Sequence, residues 1–522
     1  MLQVEFSVPL SDYERQLFAR LVPQEHFLRR LQGVIDFERF RPILARCYSP
    51  LEGRPALDPV LMLKLDLVSI HYRLSDRELM RQAQVNMAYR LFLDIGCETL
   101  LPHHTTMTYF RDRVGAETLK TIFNEVLGQA RELGFVRDRL RLKDATHIIA
   151  NIAIPSTIRL VAQTRDYLLD AAEPFAPTRV AAEWTVVDTL CSDDEVSDTE
   201  RLVRRVNHLR SVLLWADELP KSVTFLVGTA ANQEKLVEAL TLAHKVLADR
   251  EDPKASDKLI SLDDPDARCG KHGDFFDGYL VDVSMAADSE LITTIHVLPA
   301  NGDEGGDAAY LIREEEAAHG NDVEAMSIDG AGYRGPVLRE RTDPEGLNLE
   351  VFTPPTQRIP LTVFGPEEFT LGENGKTLTC PAGQTTRSSE RSPNDTGQKF
   401  RFSKKQCGGC GMREKCLANP ESKSRTVIKN DYEREYKAAQ EKAKTPEYQK
   451  VRKEHPAIER KLSELVGRHD LRHARYRGLS KVLRQALVTA VAVKMKRLVK
   501  LHKNALDEKR IGIVRAESMA MG

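Results

Sequence analysis

The run Ala325-Met326-Ser327-Ile328-Asp329-Gly330-Ala331-Gly332-Tyr333 is a short apolar stretch that ends on a carboxylate followed by two glycines. This is the pattern of a buried strand stopping in a tight turn. Asp329 then stands at the carboxyl end of a strand, the edge of an α/β sheet where sites open. Upstream, residues 279–285 alternate and residues 291–298 are rich in β-branched side chains, with Asp288-Ser289 between them as a hairpin turn. A helix is expected from about 307 to 318. Hairpin, helix and strand in this order define an α/β class with a mixed sheet.

Two other carboxylates draw attention. Residues 140–149 alternate as a strand with Asp144 in the middle, and a carboxylate inside a strand is costly unless it is paired or binds a metal. His147, three residues on, reads as a structural or supporting histidine. Glu459 lies in a helix starting near Pro456, beside a buried stripe of Ile458, Leu462 and Leu465. Oxygen ligands with no histidine or cysteine among them suit Mg²⁺ or Mn²⁺. Two such ions would clamp an in-line phosphoryl displacement.

At 522 residues the chain is too long for one ordinary core. The divisions expected are a helical DNA-binding or dimerisation domain at 1–135, core at 136–155, a helical insertion at 156–262 and core again at 263–335. A β-rich insertion with cysteines follows at 336–430, then C-terminal core helices and a basic tail at 431–522. Ser75-Asp76-Arg77-Glu78 reads as a capping box, and a second short helix from Thr105 to Arg113 would complete a helix-turn-helix. Trp184 and Trp215 are expected in the core of the helical insertion. No apolar run reaches the roughly 20 residues that span a bilayer, and the first residues carry no signal-peptide pattern, so a cytoplasmic location is expected.

Cys380, Cys407, Cys410 and Cys416 supply four thiols, two of them in a Cys-Gly-Gly-Cys turn. In a reducing compartment they suit one tetrahedral structural Zn²⁺. Net charge is −1, yet between Arg468 and Lys503 Asp470 is the only acid among many basic residues. Such a stretch suits DNA phosphates, with Arg468, Arg472, Arg475, Arg477, Lys481, Lys496 and Arg497 as candidates.

Taken together, Lys143-Asp144-Ala145-Thr146, Asp329-Gly330-Ala331-Gly332-Tyr333, Ile458-Glu459-Arg460-Lys461-Leu462, Arg475-Tyr476-Arg477-Gly478-Leu479 and Lys496-Arg497-Leu498-Val499-Lys500 resemble bacterial insertion-sequence transposases of the DDE type, nearest the group numbered eleven-eighty-two. The resemblance implies an RNase H-like core in which Asp144, Asp329 and Glu459 hold Mg²⁺ or Mn²⁺. It also implies cleavage of double-stranded DNA at inverted repeats and strand transfer into target DNA by a homodimer. Related transposases often carry Tyr, Arg and Lys around the glutamate, where this chain has Arg452, His455 and Val466, with Arg468 close enough in sequence to stand in for the lysine. Two other readings are a DNA-binding derivative without catalysis and a two-metal nuclease that hydrolyses without joining.

Overall fold

The computed structural model describes residues 10–51, 55–191, 196–356, 363–373, 375–392, 396–419 and 421–520, with side chains left undescribed at 191 and 509–520. Among the described residues, seven α-helices precede the first strand: α1 (Asp12–Leu21), α2 (Phe27–Val34), α3 (Arg41–Ala45), α4 (Pro59–Tyr72), α5 (Asp76–Val85), α6 (Met87–Leu93) and α7 (Thr105–Glu132). Helix α4 is apolar nearly all round and sits inside, as such a helix must. Its one carboxylate, Asp66, is buried and held by Arg111 at 2.8 Å and by Arg484 at 2.6 Å.

Only half of the expected capping box forms. Ser75 Oγ accepts from the Glu78 amide at 3.3 Å, but the Glu78 carboxylate turns to Arg81 and Gln82. Both expected short helices form, α5 and the part of α7 before Gly115, but they are not joined by a helix-turn-helix turn. Asn86 caps the intervening α6, and residues 105–113 are the first part of the 28-residue α7, which is broken at Gly115 with φ 63°. Arg111 points inward, gripping Asp76 with both Nη atoms at 2.7 Å, so it is unavailable to a DNA groove.

Strand β1 (Arg141–Ile149) is followed by α8 (Thr157–Ala172), α9 (Pro177–Cys191), α10 (Asp198–Ala216), α11 (Val223–Leu226) and α12 (Ala230–Glu251). These helices enclose an apolar core of their own, with Trp184 and Trp215 half-buried against it. The sheet resumes with β2 (Arg268–His272), β3 (Asp274–Ala286) and β4 (Ile292–Pro299), then α13 (Glu304–His319), β5 (Ala325–Ser327), α14 (Gly335–Thr342) and β6 (Glu350–Phe352). The order across the sheet is β4-β3-β1-β5-β6, with β2 beside the start of β3. Strand β3 runs antiparallel to β1 and β4, whereas β1, β5 and β6 are parallel. Strand β6 falls within the range expected for the second insertion, but it pairs with β5. The 336–352 stretch therefore belongs to the main sheet, and Val351 and Phe352 are buried there.

Beyond β6 come β7 (Thr370–Leu371), β8 (Leu378–Thr379), β9 (Thr385–Thr386), β10 (Ser389–Arg391), β11 (Gly397–Arg401), α15 (Lys404–Gly408), α16 (Arg413–Cys416) and β12 (Thr426–Asn430). They form two three-stranded sheets around Phe369, Leu378, Phe400, Phe402 and Val427. The chain ends in α17 (Glu433–Lys442), α18 (Pro446–Glu454), α19 (Pro456–His469) and α20 (Leu479–Ala520). The apolar side chains of α20 between Val482 and Val499 join those of α4, α7, β1, β3 and β4 in one continuous core, so the N-terminal helices and the sheet are packed as one body. Among the described residues no helix is long and apolar enough to cross a membrane.

Candidate active site and nucleic-acid interface

The parallel register of β1 and β5 pairs Arg141 with Met326 and Leu142 with Ser327. Continued by two residues, the same register sets Asp144 beside Asp329. Side chains two residues apart share a face, so Leu142, Asp144, Ser327 and Asp329 lie on one side of the sheet. Both aspartates are half-buried. Each accepts a nearby backbone amide: Ala145 N–H donates to Asp144 at 2.9 Å, and Ala331 N–H to Asp329 at 3.1 Å. Burial first, and the Asp329 charge next among the raising influences, push the Asp144 carboxyl up to about 6. Gly332 closes the turn after Asp329 where a Cβ would come within 2.4 Å of Ile328.

On the opposite face Lys143 is buried, 2.8 Å from Asp282 and donating to the Glu304 carbonyl at 2.8 Å. It therefore ties β1, β3 and α13 together beneath the aspartates. His147 packs against Phe276 at 4.6 Å, and burial pushes it down to about 4. It is a neutral packing residue, as the sequence suggested.

Glu459 is carried by α19, whose flanking residues are tied to β5 before its start and to β1 past its end. Near its start, Ser327 Oγ meets Arg452 at 3.2 Å and His455 Nδ1 at 3.1 Å, and Arg452 also donates to the Ile328 carbonyl at 3.0 Å. Past its end, Ile149 N–H donates to the Arg472 carbonyl at 2.8 Å, and Ala474 N–H to the Ile149 carbonyl at 2.9 Å. The helix thus runs alongside β1. Glu459 is exposed, one helical turn beyond His455. Asp144 and Asp329 are brought side by side, and Glu459 is an exposed residue of the helix that runs alongside β1. Among the described residues no three His, Cys, Asp or Glu side chains are already arranged to hold a metal.

One flank of α19 forms a cleft of about 530 Å³ with α20 and the β3–β4 turn. Arg460, Lys461, Arg468, Lys496, Arg497 and Lys500 line it, against the carboxylates Glu290 and Glu464. Glu464 takes Lys461 at 3.1 Å and Lys496 at 2.6 Å. Burial alone would raise the Glu464 carboxyl, but these two ammonium groups hold it down at about 2. Arg468 and Lys500 are exposed and form no ion pair among the described residues. Arg460, Lys461 and Lys500 stand in the sequence motifs but not among the phosphate-binding candidates, although Arg460 and Lys461 directly follow Glu459 on a helix.

Of the other basic candidates, three hold the protein to itself. Arg472 donates to the His147 carbonyl at 2.9 Å, Arg477 to the Asn151 carbonyl at 3.2 Å, and Arg497 to the Ser289 carbonyl at 2.6 Å. Arg475 is 3.6 Å from Asp470, and Lys481 is exposed away from the cleft lining. Lys494, on the same apolar helix, is fully buried over the Phe123 ring.

In the second insertion, Cys380, Cys407, Cys410 and Cys416 all line one cavity of about 20 Å³, roughly the room one small ion or water needs. Burial pushes the Cys416 thiol up, and the other three thiols add to this.

Residues 16–113 match the family model described as a transposase domain (DUF772), and residues 379–499 match the one described as a transposase DDE domain. The chain carries a transposase domain and a transposase domain of the DDE type. The second match takes in both the cysteine cluster and Glu459. No curated protein and no solved structure matches the chain. With its DDE domain it is an enzyme of phosphoryl transfer on DNA.

Proposed function

We propose that this transposase cuts DNA at the ends of an insertion sequence and joins those ends to target DNA, with Asp144, Asp329 and Glu459 as its three carboxylates. The observation that carries the reading is the parallel register of β1 and β5, which sets Asp144 beside Asp329; that α19, the helix of Glu459, is tied to both strands supports the third place. Two half-buried carboxylates set side by side, one of them pushed up to about 6, are an unfavourable pair that a divalent cation relieves. An all-oxygen set suits Mg²⁺ or Mn²⁺. When bound, such ions polarise the scissile phosphate and lower the pKa of the attacking water or hydroxyl. The chain's own part is to hold the three carboxylates and to position the DNA. The mixed sheet, with an antiparallel hairpin joined to parallel strands and the acids at one edge, supports an RNase H-like core.

Arg468 and Lys500, exposed at the cleft beside α19, would bind backbone phosphates in a salt-dependent way. Arg468 supplies positive charge along α19 where Val466 offers none. The four thiols around one ion-sized cavity support a structural Zn²⁺. Action as a homodimer on double-stranded DNA in the cytoplasm follows from the family resemblance, as does kinship with the eleven-eighty-two group. The test is incubation with the flanking element DNA and Mn²⁺, with strand products mapped. Asp329→Asn should abolish cleavage and leave DNA binding intact. Undiminished cutting by that variant would overturn the site, and hydrolysis with no joined product would favour the nuclease.

A further inference from the structure

We infer that Arg452 and His455 are positioning residues that clamp the strand carrying Asp329 to the helix carrying Glu459, acting through the buried hydroxyl of Ser327. This rests on the proposed carboxylate site. Ser327 is fully buried and ends β5, two residues before Asp329. Its Oγ accepts from Arg452 at 3.2 Å, which leaves the hydroxyl hydrogen for His455 Nδ1 at 3.1 Å. That arrangement satisfies all three groups, as burial requires. Arg452 spends a second contact on the Ile328 carbonyl at 3.0 Å, the peptide directly before Asp329.

His455 is itself buried and sits one helical turn before Glu459. Two side chains from the α18–α19 junction thus grip both the side chain and the backbone next to Asp329. A shift of this junction would change the spacing between the second and third carboxylates. Neither Arg452 Nη1 nor the His455 ring is placed as an exposed phosphate ligand, in contrast to the cleft cations beside α19.

The test uses the full chain, with Mn²⁺ alone as one probe and double-stranded DNA of arbitrary sequence as the other. Mn²⁺ affinity is measured by calorimetry without DNA, duplex affinity at fixed salt, and folding by thermal melting. Ser327→Ala and Arg452→Gln should weaken Mn²⁺ binding about 10- to 100-fold, the usual cost of losing a group that orients a metal ligand. Duplex affinity should stay unchanged. Arg452→Lys, which keeps a donor, should recover part of the loss and decides the matter if Ser327→Ala melts early. Weakened duplex binding with Mn²⁺ affinity intact would overturn the inference and make Arg452 a phosphate ligand. Unchanged Mn²⁺ affinity in Arg452→Gln would also overturn it. Asp329→Asn is the control: if that variant binds Mn²⁺ normally, the carboxylate site itself fails and not merely the clamp.

Discussion

Replacing Asp144 with asparagine should make the protein more stable while removing its activity. The Asp144 carboxyl is pushed from 3.8 to about 6, first by burial and then by Asp329. At about 1.4 kcal/mol per unit, keeping it ionised at neutral pH costs the folded state up to about 3 kcal/mol. The sign follows from proton linkage. Between pH 4 and 6, approximately, the folded chain holds a proton at Asp144 that the unfolded chain has released, so stability falls as pH rises through this window and remains lower above it. An asparagine cannot ionise, so Asp144→Asn should exceed the natural chain in stability by up to about 3 kcal/mol at about pH 7.5 and converge with it near pH 4. Denaturant unfolding of both chains without divalent cations measures the difference. Added Mn²⁺ should stabilise the natural chain and leave the variant unmoved, because only a state that binds a ligand gains from it. A variant less stable at neutral pH, or a gap that persists in acid, would refute the argument.

Other outcomes follow from the same structure. Arg468→Ala and Lys500→Ala should each weaken DNA binding regardless of sequence and lower the slope of log affinity against log salt by about one. Arg497→Ala should leave that slope nearly unchanged, because its guanidinium serves the Ser289 carbonyl and Glu290. Elemental analysis should find zinc in the purified protein, and Cys407→Ser with Cys410→Ser should unfold the second insertion; metal-free, folded protein would remove the zinc assignment. Arg484→Ala leaves the Asp66 carboxylate with only Arg111 in a buried site. It should cost about 3–5 kcal/mol in denaturant unfolding, as breaking a buried ion pair does.

Local chemistry made much of this protein legible from its residues alone. Alternation marked β1 and β3, β-branched side chains marked β4, and the glycines after Asp329 marked the strand end, because each pattern is set by neighbours a few residues apart. The cysteine spacing marked a cluster, and all four thiols do line one cavity. Ser327 was within reach of the same reasoning, since period-two spacing puts it on the face of Asp329. Other features depended on contacts across hundreds of residues. The register that sets Asp144 beside Asp329, the transfer of β6 into the main sheet and the inward turn of Arg111 were decided by how distant segments pair and pack. The basic stretch shows the division most clearly. Its composition suggested phosphate binding, but which cations face solvent and which hold the chain together was settled by burial and by partners such as Asn151, His147 and Ser289, brought alongside only when the sheet and α20 close around one core.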